Sequence, residues 1–590
     1  MRFPVLVSSL AALLLAGTVW GSSEMIDERQ GDLKAPALAG AVEGEKGALW
    51  TPPALRDPDE AWVEAALAAM TLDQKIGQMI MPQWSPASAP SLMANYHVGG
   101  FIFLRVDAAT ALNATNTLQQ QADFPLWFAV DCEAGAGARI TEGTIFPMNM
   151  AQAAARDTLL AREQGVVTAR ECRALGIQIG FGPVLDVNTE PKNPVISIRS
   201  SSDDPGLVAR MAAAYVEGAA SAGMLTTFKH YPGHGHTDLD SHLALPVVTL
   251  DCDTVFNTHV KPYETLIGQG LGDLVMSAHV WYPCLDPGTQ PWPATLSEAA
   301  LTGWLREDLG FEGVVISDAF NMAGLQNAIS TSDGARIAVQ AGMDVILMAP
   351  STADAFNGIK NGVLGGQLSE ERINQSVRRI LRLKSKVGLP EATTVPVENL
   401  DILGAAEHWA GAEAIGEKAL SKARVQPGVL PLSTDMDVLV LAFSTNDSIF
   451  YRYGSFEFTD PFLTTLPTAD VRTVFTNLSD SERAALVARA AIADRVVVTS
   501  RTWRPNNSSG QDALLRDLVA IDTPLIYLSF GSPYHDLNVP GLENFFCGFS
   551  SHYSTQRHAV DVLFGEAEAQ APWPVEVDLG LPPWAGWATY

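Results

Sequence analysis

Between Lys229 and His242 the chain places four histidines (His230, His234, His236, His242), two aspartates (Asp238, Asp240) and two glycines within fourteen residues, in the order Lys-His-Tyr-Pro-Gly-His-Gly, four residues, then Asp-Ser-His. Three chemistries fit this density. His234-Gly235-His236 is a His-x-His pair that could offer two imidazoles to a metal. The stretch could also be a polar surface loop with no role in catalysis. The third reading is proton transfer. Asp240 and His242 are separated only by Ser241, and a short turn brings that carboxylate onto the imidazole. The carboxylate favours the protonated ring and sets which nitrogen faces a substrate. Such a pair can protonate a leaving oxygen and later activate water. A second reactive candidate is Asp318, which ends the apolar run Val314-Val315-Ile316-Ser317. It either caps the helix that follows or holds a carboxylate at the mouth of a low-dielectric core, and position alone leaves both open.

These residues must be held by something regular. Short apolar runs at 78–81, 100–104, 126–131, 178–182, 225–229, 274–279, 313–318 and 344–348 predict eight strands. Amphipathic segments such as 151–175, 205–223, 297–309 and 333–341 alternate with them. Thr71 with Gln74 has the pattern of a capping box. Apolar strands alternating with helices imply a parallel sheet covered on both faces, and eight such units in this length fit a (β/α)8 barrel. Barrel chemistry sits at the carboxyl ends of the strands. Here the third run ends at Asp131, the fifth at Lys229-His230, the sixth at His279 and the seventh at Asp318, while Arg199 lies in the loop after the fourth. In metal-dependent barrel hydrolases a His-x-His pair resembles a feature of the first strand, whereas this one follows the fifth. Nothing in the sequence calls for a cofactor, and we assign no metal.

The 590 residues carry a net charge of −28, which disfavours a nucleic-acid partner. Arg2, the apolar run from Val5 to Val19 and the small residues near Ser22 predict a signal peptide over 1–21 and export to the periplasm or medium. The run is shorter than a spanning helix needs, so no stable membrane insertion is expected. A flexible leader is expected over 22–56, the catalytic α/β barrel over 57–385, and a linker over 386–402, which carries Gly388, Pro390 and Pro396 and few helix signals. A smaller open-sheet α/β domain is expected over 403–590, with a helix over 404–423 and strands at 438–443, 471–475, 495–499, 525–530 and 544–549. It should pack on the barrel and could support a homodimer. Five cysteines, widely spaced, allow one disulfide whose partners sequence does not pair.

The motif from Lys229 to His242 resembles the signature of glycoside hydrolase family 3, in its β-N-acetylglucosaminidase branch, with Tyr231 in place of the usual Phe. Asp186-Val187-Asn188 with Asn193-Pro194-Val195-Ile196 and Arg199-Ser200 is similar to a second family motif. Gly313–Asp318 with Asn321-Met322 is similar to its nucleophile segment. The resemblance runs from about Asp57 to about Val577. It implies Asp318 as the nucleophile of a covalent glycosyl-enzyme and His242, paired with Asp240, as acid and then base. It also implies Asp131, Arg139, Arg199, Lys229 and His230 as the residues that grip the sugar. Most retaining enzymes use two carboxyl groups for the catalytic tasks; this branch resembles an exception. The chain departs from the family at the third strand, where Asp131 and Glu133 are kept but Cys132, Ala134 and Ala136 replace the usual Gln, first Gly and Arg. A second departure is the signal, since many relatives look cytoplasmic.

The implied activity is removal of terminal β-linked N-acetylglucosamine from peptidoglycan fragments or chitooligosaccharides. A neutral histidine does not repel an anion, so phosphorolysis by the same fold is an alternative, as is β-glucosidase action. A carbohydrate-binding protein without activity is the remaining reading, motivated by the altered third-strand motif.

Overall fold

The computed structural model describes residues 52–288, 291–444, 456–502, 509–534 and 539–576. The expected signal peptide and residues 22–51 of the leader lie outside them. Eight parallel strands form the first half: β1 (Ile80–Met81), β2 (Gly100–Phe103), β3 (Trp127–Val130), β4 (Ile179–Gly180), β5 (Leu225–Tyr231), β6 (Leu274–Ser277), β7 (Val314–Ser317) and β8 (Ile346–Leu347). Strands β2 to β7 pair in sequence order and β1 pairs with β8. Single bridges, Gln83 to Ile102 and Ile316 to Val345, join the two sets into a closed barrel. Every strand residue is buried, as a parallel sheet covered by helices requires.

All eight strands fall within or beside the predicted runs. The Thr71–Gln74 capping box is present. The segment expected to form one helix over 151–175 is two, Asn149–Ala155 and Thr158–Ala174, because Arg156 turns left-handed (φ 54°) and Asp157 caps the second with its carboxylate. The helix expected over 297–309 is present but π-wound from Ala299 to Asp308. The end of the leader is not free: Leu55 and Arg56 donate backbone hydrogen bonds to the Ala220 and Lys386 carbonyls. Nor is the 386–402 segment a loose tether. Val395 and Asn116 exchange two hydrogen bonds (2.8 and 2.9 Å) and Ile402 is buried.

The second half is a six-stranded sheet of β9 (Ser421–Arg424), β10 (Val438–Phe443), β11 (Asp470–Val474), β12 (Arg495–Ser500), β13 (Leu525–Ser529) and β14 (Phe545–Cys547), in the order β11-β10-β12-β13-β14-β9. Only β9 runs antiparallel. It corrects the expected helix over 404–423, which stops at Lys418. The alternating burial of Ser421 to Arg424 is a strand period too short to stand out after a helix. The sheet has an apolar cluster on each face, and one of them takes in Ala134, Met148 and Ile198 from the barrel. Cys252 and Cys284 form a disulfide, whereas Cys132, Cys172 and Cys547 are free and buried. No described helix is long and apolar enough to cross a membrane.

Candidate active site

The carboxyl ends of β3, β5 and β7, with the loop after β4, converge on one rim. Asp131 leaves the end of β3 and accepts hydrogen bonds from Lys229 Nζ at 2.5 Å and Arg139 Nη2 at 2.9 Å. Two residues on, Glu133 takes the Arg199 fork through Nε (2.9 Å) and Nη2 (2.7 Å) and meets Lys229 Nζ at 2.6 Å. The planar guanidinium matches the carboxylate at two points, which fixes both groups. Burial pushes the Glu133 carboxyl up, but Arg199 and Lys229 outweigh it and hold the group well below the usual range. Burial opposes the charged form of Lys229 too, and Asp131 with Glu133 outweigh that and raise it. For Asp131, burial is overcome by Lys229 and Arg139, and the carboxyl is lowered.

Lys229 and His230 are consecutive, yet both reach this cradle. In a regular strand neighbouring side chains point to opposite faces. The pairing of β5 with β6 slips between Lys229 and Tyr231, and such an irregularity re-aims a side chain. His230 Nε2 lies 3.4 Å from Arg199 Nη2. Its Nδ1 bonds to Asp186 at 2.7 Å. Asp186 is fully buried and also accepts from the His234 backbone N–H at 2.6 Å, so one carboxylate orients the His230 ring and anchors the loop that follows. Burial is outweighed by His230 and His234, which leaves Asp186 ionised with a lowered pKa.

The loop from Gly233 to Ala244 is built on fixed points. A side chain at Gly235 would sit 1.8 Å from the Val187 carbonyl oxygen, so only glycine fits there. His234 is buried, bonded to Thr237 and Ser241 at 2.8 and 2.9 Å, and pushed down to about 4 chiefly by burial; it is a neutral strut. His236 bonds to Thr189 at 2.8 Å. The four histidines thus turn to four different sets of partners, and among the described residues no three metal-ligand side chains converge.

His242 stands apart. Its side chain is 61% exposed, and Asp240 Oδ1 accepts from both its backbone N–H (2.9 Å) and its ring Nδ1 (2.8 Å). The Asp240 hydrogen bond raises its pKa above the ordinary imidazole value; partial burial opposes this and the Asp318 charge adds to it. The loop docks on the segment after β7 through a hydrogen bond from Gly324 N to Ser241 O at 3.1 Å, and His242 is near enough to Asp318 for the two charges to act on each other.

Asp318 follows directly on β7 and is half-buried. The helix after it begins only at Ala323 with Met322 at the cap position, so the capping reading fails. Its carboxylate accepts from the Ala319 N–H at 2.7 Å. Burial would raise its pKa, but His230, His279, the Ala319 N–H and His242 outweigh that and lower it to about 2. His279 is buried between Thr295 Oγ1 (2.7 Å) and the Ala319 carbonyl (3.1 Å), where it props the turn that carries Asp318. The rim therefore holds an ionised carboxylate beside a protonatable imidazole, with a cradle of fixed charges between the strands. Glu133, Asp186 and His279 were visible in the sequence as motif members or as a strand-end residue, but their tasks were not.

The second domain backs this site. Tyr534 accepts a hydrogen bond from Asn188 at 2.9 Å, and Ala134 and Ile198, next to Glu133 and Arg199, pack into its apolar cluster.

Residues 71–383 match the model of the glycosyl hydrolase family 3 N-terminal domain, more than half of the chain. The chain belongs to glycoside hydrolase family 3. Its fold is similar to that of a family 3 β-N-acetylglucosaminidase from Paenibacillus sp. str. FPU-7, with a TM-score of 0.79 and 32% identity over 86% of this chain and 99% of that one. A β-N-acetylglucosaminidase/β-glucosidase from Cellulomonas fimi is 29% identical over 90% of this chain and 98% of its own length. A β-glucoside phosphorylase is 26% identical with a TM-score of 0.78, over 88% and 97% of the two chains. The family 3 barrel with its α/β partner is thus matched nearly end to end, and the chain is a glycoside hydrolase.

Proposed function

We propose that this family 3 enzyme is a retaining exo-glycosidase that removes terminal non-reducing β-linked N-acetylglucosamine from peptidoglycan fragments or chitooligosaccharides. The observation that carries the reading is the Asp240–His242 pair on a loop docked beside Asp318. In the first step the Asp318 carboxylate attacks the anomeric carbon while protonated His242 gives its proton to the leaving oxygen. A glycosyl ester on Asp318 results. In the second step neutral His242 takes a proton from water, which displaces Asp318 with a second inversion, so configuration is retained. Asp131, Arg139, Lys229, Arg199 and His230 hold the terminal sugar, with Asp131 as hydroxyl acceptor and the cations as fixed donors. Two of the similar proteins named above bear the N-acetylglucosaminidase name, which supports the substrate class. The test is kcat/KM on an aryl N-acetyl-β-glucosaminide against the matching aryl β-glucoside. A strong preference for the former is expected, and equal or reversed preference overturns the reading.

A second reading has its own support. The acid/base is an imidazole without negative charge, which tolerates an anionic acceptor, and one similar structure is a phosphorylase. Release of sugar 1-phosphate with phosphate as acceptor would favour it over hydrolysis. The Cys252–Cys284 bridge supports export, because such bonds persist in oxidising compartments. Recovery of the chain in the cytosol with both thiols open to alkylation removes that expectation.

A further inference from the structure

Two helices on the outside of the barrel depart from ordinary winding. The helix after β5 is π-wound over Val255–Val260, and the helix after β6 is π-wound over Ala299–Asp308. Long π winding is rare and, where it occurs, is frequent at functional sites. Here it has a geometric consequence. In an α-helix each residue advances about 100°, which would put Asp308 opposite Ala299. With i→i+5 bonding the advance falls to about 82°, and Ala299, Gly303, Trp304 and Asp308 form one stripe. That stripe is one wall of a surface groove of about 540 Å³, and Asp253 and Phe256 from the neighbouring helix form the other. The Cys252–Cys284 bridge lines the groove and ties its first helix to the loop after β6.

The lining has the chemistry of a sugar site. Trp304 and Phe256 are partly exposed and meet edge to face, with centroids 5.3 Å apart. Gly303 lies outside the left-handed region, and a Cβ built there would meet only the Glu298 carbonyl oxygen at 4.0 Å. Neither backbone conformation nor crowding asks for glycine at 303; its missing side chain leaves open floor beside the indole. Asp253 and Asp308 are exposed acceptors. Among the described residues no lysine or arginine lines the groove, so an anionic ligand finds no counter-charge from them. Sugar rings place apolar C–H faces on aromatic rings and donate hydroxyls to carboxylates. The volume lies in the small-ligand range of about 300–1,000 Å³.

We propose that this groove is a second, non-catalytic glycan site that holds a β-linked amino-sugar oligosaccharide while the barrel rim trims its end; the identity of that oligosaccharide rests on the function proposed above. The test uses the full chain carrying Asp318→Asn, with the rim filled by a monosaccharide-sized competitive inhibitor. A hexamer of β-1,4-linked N-acetylglucosamine is then titrated in. Binding with one site is expected, and Gly303→Leu, which fills the floor, and Trp304→Ala, which removes the platform, should each weaken it at least tenfold. In the otherwise wild-type enzyme, Gly303→Leu should leave kcat/KM on the aryl monosaccharide unchanged and raise KM for the hexamer. Loss of hexamer binding on adding the inhibitor, no change in either variant, or preference for a glucose hexamer overturns the proposal. Turnover of the aryl substrate is read separately, so failure of the groove and failure of the proposed activity are distinct results.

Discussion

The two halves of the barrel rim are built in opposite ways. The cradle of Asp131, Glu133, Asp186, Lys229, Arg199 and His230 is largely buried, and each charge is held by partners from other strands. The Asp240–His242 pair is local: Asp240 holds the side chain two residues on, and His242 is mostly in solvent. The difference suits the tasks proposed for them. A group that binds a sugar gains from charges fixed before the substrate arrives, because no reorganisation is then needed at reaction. A group that must take and give a proton needs a ring whose state can change, and buried His234, pushed down to about 4, shows what burial does to an imidazole. Asp318 lies between the two designs, its pKa lowered by His230 of the cradle, by His279 and the Ala319 N–H, and by His242 of the loop.

This contrast can be broken experimentally. Asp318→Asn removes the proposed nucleophile and should lower kcat by on the order of 10⁴-fold or more with the fold intact, measured by steady-state rates and circular dichroism. Retained turnover would shift the reaction centre elsewhere on the rim. Glu133→Ala strips the carboxylate from Arg199 and Lys229 and leaves buried cations uncompensated. We expect a loss of about 3–5 kcal/mol in denaturant unfolding, together with lost activity. His242→Ala should do the reverse, costing about 10²–10⁴-fold in rate with melting unchanged. The rate loss should shrink with a dinitrophenyl leaving group that needs no proton in the first step. A large stability loss in this variant would show that the loop is as integral as the cradle. Asp240→Asn gives the smallest effect. Since Asp240 raises the His242 pKa, its loss lowers the pH at which the acid deprotonates, and the alkaline limb of the pH–rate profile should move to lower pH. The acid limb is expected far below neutrality, set by Asp318 at about 2.

Much of this was legible in the chain. All eight barrel strands were readable because each is a short apolar run buried on both faces. The strand β9 was not, because its alternation spans four residues and follows a helix. The disulfide was not, because spacing does not encode which thiols meet. The π winding of Ala299–Asp308 was not, because its residues suit an ordinary helix as well.

The division within the site has the same cause. The Asp240–His242 pair is a local turn, and its spacing in the chain is enough to let those two side chains touch. The sequence also shows that polar residues close the third, fifth, sixth and seventh strands, hence that they share one rim. Folding alone pairs Glu133 with Arg199, 66 residues away, carries Lys229 back 98 residues to Asp131, and lets Asp186 orient His230 from 44 residues before it. Those contacts depend on barrel closure and on the slip in β5, and no local pattern of residues records either.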